Sequence, residues 1–311
     1  MSVYTVVTEK HLKDLLEKYE IGALQDCTGI AGGITNTNYC LSTDQGKFAL
    51  TLFEQHSQEE LPFYFNILIH LSSKHFPCAE PVFDKHGGII QVVADKPAVL
   101  FHWCKGDIVS TIEDTHIKAI GAVLGQMHAA MTNFSTELAN PRNLVWIKTT
   151  AEKLKTKLSD EQQQLLQQEL EFQQQQQAQY MLLPKGVIHA DLFHDNVLFV
   201  EDKVSAVLDF YYACHDYLLL DVATTLLDWC ADTAKHLQTT KAQLLLNAYQ
   251  QHRILTAQEK QQLLPILRLA ALRYWMSRLN DFHFPNNGAQ VLIKDPQEYE
   301  AKLRQLTTFE L

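Results

Sequence analysis

One segment concentrates residues whose types and spacing can do chemistry: VIHADLFHDNVLFVEDKVSAVLDFYY, residues 187–212. Val197–Val200 and residues 204–208 read as short strands, with Asp202-Lys203 as a two-residue turn between them. That register sets Asn196 opposite Asp209, so an amide oxygen and a carboxylate meet at the open end of the hairpin. The loop at 189–195 ends at the same place and brings a second carboxylate, Asp191. A few oxygen ligands, with positions left for phosphate and water, are what a hard cation such as Mg²⁺ takes. Asn196 and Asp209 then read as ligands bridging Mg²⁺ to a nucleotide's phosphates. Asp191, not a metal ligand, reads as the group that holds and deprotonates an attacking hydroxyl.

This division of labour is the template H-R-D-x-x-x-x-N followed by D-F-G. His189, Asp191, Asn196 and Asp209-Phe210 stand in its places, with the template's own spacing from Asp191 to Asn196. A polar loop beside an ordinary hairpin would explain a lone H-x-D, but not the whole array. Zinc is a rival use of His189, Asp191 and His194; oxygen ligands account for more of the segment. Upstream, residues 29–38 (GIAGGITNTN) precede a strand rather than open a helix, which excludes a Walker loop or a Rossmann fingerprint. They fit a flap whose backbone N–H groups and hydroxyls cover phosphates. Gly32, Gly33, Thr35, Asn36 and Asn38 are its candidate nucleotide contacts.

The elements that must position these residues fall into two blocks. The first hundred residues read as α+β. A short helix runs over 8–19, strands over 38–42 and 47–53 flank a turn at 43–46, and a helix covers about 58–74. Two more strands follow, at 89–93 and 98–103. After Gly106 the pattern turns helical: Ile117, Ile120, Leu124, Met127 and Met131 share one face. The glutamine-rich stretch at 150–180 reads as a helix held by Leu165, Leu166, Leu170 and Phe172. Helices are expected over 218–229 and 241–252. A last long helix is capped by Thr256 with Glu259 and runs to about Phe282, with Leu263, Leu267, Ala270, Tyr274 and Leu279 inward. The domains expected are residues 1–104, a small β-rich lobe, and 105–311, a larger helical one, with a ligand cleft between them.

Composition bounds the rest. The 311 residues carry a formal charge of −10, which argues against a nucleic-acid-binding face. Six scattered cysteines, without a C-x-x-C pair, read as reduced thiols of a cytoplasmic protein rather than a disulfide scaffold or zinc ribbon. No stretch reaches the roughly 20 apolar residues of a membrane span, so no membrane partner is expected.

The stretches GGITNTNY (32–39), HADLFHDN (189–196) and LDFYYACHDYLLLDVA (208–223) resemble the aminoglycoside-phosphotransferase-like kinase superfamily. Within it the chain is most similar to the bacterial homoserine kinases of that fold, with FALTLFE (48–54), LPFY (61–64), ALRYWMSRLNDF (271–282) and KDPQEY (294–299) in support. The resemblance spans nearly the whole chain. It implies a two-lobed α+β protein-kinase-like fold: a small antiparallel β-sheet N-lobe that binds nucleotide and a larger, mostly helical C-lobe. It implies ATP-dependent phosphorylation of the hydroxyl of L-homoserine, giving O-phospho-L-homoserine for threonine biosynthesis, with ATP and Mg²⁺ as cofactors. In that frame Asp191 is the base, His189 supports the catalytic loop, and Asp221 braces it by accepting backbone hydrogen bonds. Asn196 and Asp209 hold Mg²⁺. The stretch from Phe101 through Trp103 to Cys104 is a hinge whose backbone meets adenine.

The pattern departs at one place: Thr51 stands where relatives carry a third-strand cation, with Lys47 four residues earlier. Neither Glu59 nor Glu60 is a clear acidic partner. The substrate carboxylate calls for an arginine, and Arg273 or Arg278 on the last long helix are candidates beside Arg268. Tyr211, Tyr212 and Asp216 read as pocket walls, against core packing for the tyrosines. His128 reads as a satisfied core residue. Another small-hydroxyl kinase, acting on choline, methylthioribose or an aminoglycoside, is the alternative reading, and a nucleotide-binding pseudokinase a third.

Overall fold

The computed structural model describes residues 4–30, 36–285 and 294–309. The chain forms two compact units that divide between Lys105 and Gly106. In the first, α1 (Glu9–Leu16) is capped by Thr8 and buries Leu12 and Leu15. Strands β1 (Leu24–Gly29), β2 (Thr37–Thr43) and β3 (Gly46–Leu52) follow. Then come α2 (Leu61–Ser73), β4 (Gln91–Val93) and β5 (Lys96–His102). The five strands make one antiparallel sheet in the order β1-β2-β3-β5-β4. Burial alternates along β2, the period of a strand with one covered face. Tyr39, Leu41, Leu50 and Leu100 meet Leu12 and Leu15 in the core of this unit. The helix expected from about Gln58 starts at Leu61, because Pro62 belongs in a first turn, where a missing N–H costs nothing.

The second unit begins with α3 (Asp114–Ala130), α4 (Leu144–Leu154) and α5 (Asp160–Tyr180). It continues through β6 (Lys185–Ile188), β7 (Val197–Val200), β8 (Lys203–Val207) and β9 (Cys214–Tyr217). It ends with α6 (Leu218–Trp229), α7 (Thr239–Tyr249), α8 (Ala257–His283) and α9 (Gln297–Thr307). The glutamine-rich stretch is α5, started by a capping box between Ser159 and Gln162. Two of its polar residues are buried and satisfied: Gln173 accepts from the Tyr180 hydroxyl at 2.7 Å, and Glu169 pairs with Arg268. Thr256 and Glu259 form the expected capping box of α8, and Leu263, Leu267, Ala270, Tyr274 and Leu279 are buried along it. Among the described residues no helix is long and apolar enough to cross a membrane.

The hairpin that carries the acidic residues differs from the expected register. Val200 pairs with Lys203, so the turn residues are Glu201 and Asp202, with Glu201 left-handed at φ 54°. An irregularity between Leu198 and Phe199 then shifts the ladder. The Leu208 N–H donates to the Asn196 carbonyl at 2.9 Å, so Asn196 faces Leu208, and Asp209 lies one residue beyond the ladder. Strands β6 and β9, which pair antiparallel with Lys185 opposite Tyr217, were not legible as strands.

Candidate active site

Strand β6 leads into the loop of residues 189–196. Ala190 adopts φ 63° and Asp209 φ 58°, both left-handed. Such a conformation costs a non-glycine residue roughly 1–2 kcal/mol, so neighbours must hold it. Asp209 leaves the strand direction at that residue, which re-aims its carboxylate after the ladder has ended.

Asp221, fully buried near the start of α6, supplies the main brace. Its Oδ2 accepts the His189 N–H at 2.8 Å and its Oδ1 the Ala190 N–H at 2.9 Å. His128 Nε2 lies 3.2 Å from the same Oδ2, while His128 Nδ1 meets the Tyr249 hydroxyl at 2.8 Å. Burial works to raise the Asp221 pKa, but the His128 hydrogen bond and charge and the His189 backbone N–H outweigh it and hold the carboxyl below its usual value. His128 is thus a satisfied core residue that also steadies the brace. From the other side, the Ala190 carbonyl accepts from Tyr274 Oη at 2.5 Å and Arg273 Nη1 at 3.1 Å.

His189 is locked by its hydrogen bonds. The Asp191 N–H donates to Nδ1 at 3.3 Å, so Nε2 carries the proton and donates to the Leu208 carbonyl at 2.9 Å. It ties the loop to the end of β8. With both nitrogens engaged, and His194 Nδ1 bound to Asp228 at 2.9 Å, these histidines do not present a zinc site.

Around Asp191 the charges gather. Asn196 Nδ2 donates to the Asp191 carbonyl at 2.9 Å and to its Oδ2 at 3.2 Å, turning its amide oxygen away from Asp191. Asp209 Oδ1 is buried without a protein hydrogen-bond partner. Burial, then the charge of Asp191, push the Asp209 pKa up to about 7, against one N–H from Tyr211. Burial also raises Asp191, while the positive charges of Arg273 and Lys294 pull it back. The buried, unmet carboxylate oxygen of Asp209 and the amide oxygen of Asn196 are oxygen donors, the chemistry a hard divalent cation takes. The residues present fit Mg²⁺.

Tyr274 was expected only in the core, yet its hydroxyl stands 3.2 Å from Asp191 Oδ1. Lys294 Nζ pairs with Asp195 Oδ2 at 2.9 Å and lies 5.2 Å from the Phe193 ring centroid. Its only sequence signal was its place in the KDPQEY tail. Of the two arginine candidates, Arg273 is buried with Nε unpartnered. Arg278 is instead tied to Glu298 Oε2 at 2.7 Å and to the Asp295 carbonyl at 2.9 Å, an ion pair between α8 and α9 that removes it from the substrate candidates. Tyr211 and Tyr212 follow Asp209 in a single 3₁₀ turn, and burial raises both hydroxyls.

In the first unit, Gly32, Gly33 and Thr35 lie outside the described residues. Asn36 is buried with Oδ1 unpartnered, and Asn38 Oδ1 accepts from the Thr51 hydroxyl at 2.7 Å. Thr51 thus orients a residue of the glycine segment and supplies no charge. Phe101 is buried and Trp103 exposed. The N–H groups of His102 and Trp103 already donate to the carbonyls of Glu80 at 2.9 Å and Lys47 at 3.3 Å. Both N–H groups are thus already engaged within the first unit.

Residues 26–255 match the model of the phosphotransferase enzyme family. The chain belongs to that family. It is 42% identical over 304 residues to the homoserine kinase of Methylobacillus flagellatus, covering 98% of this chain and 95% of the relative. It is 38% identical to that of Neisseria meningitidis, covering 98% and 100%. Among solved structures it is similar to an amicoumacin kinase complexed with AMP-PNP, Ca²⁺ and its ligand, with TM-score 0.72 at 16% identity, covering 96% of this chain and 92% of that one. A spectinomycin phosphotransferase with ADP and spectinomycin gives 0.68 at 13%, covering 98% of each. The latter two establish the two-lobed, protein-kinase-like α+β fold.

Proposed function

We infer that the chain is a homoserine kinase, transferring the γ-phosphoryl group of ATP to the side-chain hydroxyl of L-homoserine. The product, O-phospho-L-homoserine, feeds threonine formation. The observation that carries this reading is the near-full-length similarity to homoserine kinases, 42% over 98% of the chain, coupled with the array of Asp191, Asn196 and Asp209. The antibiotic kinases contribute the fold alone at their level of identity.

In the proposed mechanism Asp191 orients the homoserine hydroxyl and takes its proton as oxygen attacks the γ-phosphorus in line. The bond to the bridging oxygen breaks, and ADP leaves. Positioning and charge neutralisation provide most of the rate in such transfers. Asn196 and Asp209 would hold Mg²⁺, which would supply charge neutralisation on the phosphates. His189 and Asp221 keep the loop in place, Arg273 and Tyr274 fix the Ala190 carbonyl, and Tyr211 walls the acceptor site. Asn36 and Asn38, with the glycine segment, contact nucleotide, so that residues 1–104 form the nucleotide-binding lobe and 105–311 the catalytic lobe. The six free thiols favour a reducing compartment, the cytoplasm.

The test is ADP release from Mg-ATP with L-homoserine, choline, methylthioribose, kanamycin or no acceptor. Turnover confined to homoserine is expected. Turnover of another acceptor with none on homoserine would replace the reading, and silence across the panel with ATP still bound would leave only the family and fold.

A further inference from the structure

The chain has six arginines. Four are spent on carboxylates: Arg253 on Glu259, Arg268 on Glu169, Arg278 on Glu298 and Arg304 on Glu300. Arg273 is buried and holds the Ala190 carbonyl. Arg142, in the turn before α4, is different. Its backbone N–H is fixed by Asn140 Oδ1 at 2.8 Å, and the neighbouring Asn143 caps α4. Its guanidinium carbon stands 5.3 Å from the Trp146 ring centroid and 5.4 Å from that of Tyr212, and Nη1 bonds the Ser277 hydroxyl. Among the described residues no ion pair is formed by Arg142. A guanidinium has five donors in a planar fork matched to a carboxylate. Here it is stacked on aromatic rings and held in place, with one donor engaged by Ser277.

Its place is set by two chains of contact. Ser277 follows Tyr274 by three residues of α8, about 4.5 Å along the axis, and the Tyr274 hydroxyl is 3.2 Å from Asp191 Oδ1. Tyr212 follows Asp209 by three residues in the same turn. In homoserine the hydroxyl oxygen and the carboxylate carbon are four bonds apart, about 5 Å when extended at roughly 1.5 Å per bond. Arg142 also lines a cavity of 310 Å³ whose lining includes Arg273 and, as its one carboxylate, Asp216.

The geometry points to Arg142 as the residue that binds the α-carboxylate of the amino-acid acceptor and makes the enzyme require one. This inference rests on the homoserine kinase reading and deepens it: the acceptor is recognised through its α-carboxylate at Arg142, with its hydroxyl at Asp191.

The experiment compares L-homoserine with L-homoserinamide, which keeps the hydroxyl and lacks the carboxylate charge, in the wild-type protein and in Arg142→Gln and Arg142→Lys. Arg142→Gln is expected to lower the ratio of the two kcat/KM values on the order of 100-fold, through KM for homoserine. Arg142→Lys keeps a cation and packs a similar stem, and should lose about tenfold through the missing fork. KM for ATP should stay within about twofold in both variants. An equal loss on both acceptors, or a parallel rise in KM for ATP, would make Arg142 a structural residue and overturn the inference. An unchanged ratio in either variant would overturn it as well. A wild-type protein without turnover of homoserine would overturn the underlying reading, an outcome visible before any variant is made.

Discussion

Asp221→Asn isolates the brace beneath the catalytic loop. Three donors converge on the Asp221 carboxylate: the His189 N–H at 2.8 Å, the Ala190 N–H at 2.9 Å and His128 Nε2 at 3.2 Å. The site is fully buried. Asparagine keeps the shape but offers one oxygen, so its NH₂ must face at least one backbone N–H. One donor is then left unsatisfied, and the remaining bonds lose their charge assistance. Breaking such a buried charged network by removal of one partner costs about 3–5 kcal/mol. The expected result is a stability loss of that size in urea unfolding at neutral pH, with kcat reduced because Ala190 is no longer held in its left-handed conformation. The pH dependence has a definite sign. The Asp221 carboxyl lies below its ordinary value in the folded protein. Its contribution is therefore complete above the unfolded carboxyl value near 4 and is lost as pH falls through the folded value. Asp221→Asn should accordingly flatten the acid limb of the stability profile. Combined with His128→Phe, it should show a coupling of at least about 1 kcal/mol, since the two share a hydrogen bond. A loss under about 1 kcal/mol with full coupling-free additivity would refute the brace.

Asp191→Asn should lower kcat by at least about 10³-fold while leaving Mg-ATP binding nearly intact, measured by single-turnover kinetics and calorimetry. Asp209→Asn should instead weaken metal-dependent ATP binding. Because the Asp209 carboxyl sits at about 7, a proton competes with Mg²⁺ near and below that value; the apparent Mg²⁺ affinity should fall about fivefold from pH 7 to pH 6, read from metal titrations of turnover. Chelation of the metal should abolish turnover reversibly. Lys294 pulls down both Asp191 and Asp209, so Lys294→Met should move the acid limb of the kcat profile to higher pH, and a limb that stays put would remove the lysine from the site's electrostatics.

What could be read in advance follows from the range of the interactions. The residue array 189–209 was legible because its spacing is local: a loop and a hairpin bring Asp191, Asn196 and Asp209 together within about twenty residues. The Thr256–Glu259 cap and the inward stripe of α8 were legible for the same reason. The hairpin register was missed by one residue because an irregularity at Leu198/Phe199 and a left-handed Glu201 leave little trace in residue type. Strands β6 and β9 were missed because each is four residues long and pairs with a partner about thirty residues away. Arg142, His128, Tyr274 and Lys294 were invisible as site residues for a further reason. Their partners are 70 to 135 positions distant, and each belongs to an element with an ordinary explanation of its own, a turn, a core face or a tail.

Those distant residues change how the site is understood. Ala190 carries no functional side chain, yet its N–H is held by Asp221 and its carbonyl by Tyr274 and Arg273. Its left-handed backbone sets where Asp191 begins, so three helices act on the Asp191 carboxylate through one alanine: α3 by way of His128, α6 by way of Asp221, and α8 directly. The same α8 contributes Ser277 to Arg142 one turn further on. A single rigid helix thereby fixes both ends of the acceptor's path, hydroxyl and carboxylate, and a site built on such an element is positioned more tightly than one built on loops. Substitutions that bend α8 between Tyr274 and Ser277 should therefore raise KM for homoserine and lower kcat together, whereas substitutions at Arg142 should act on KM.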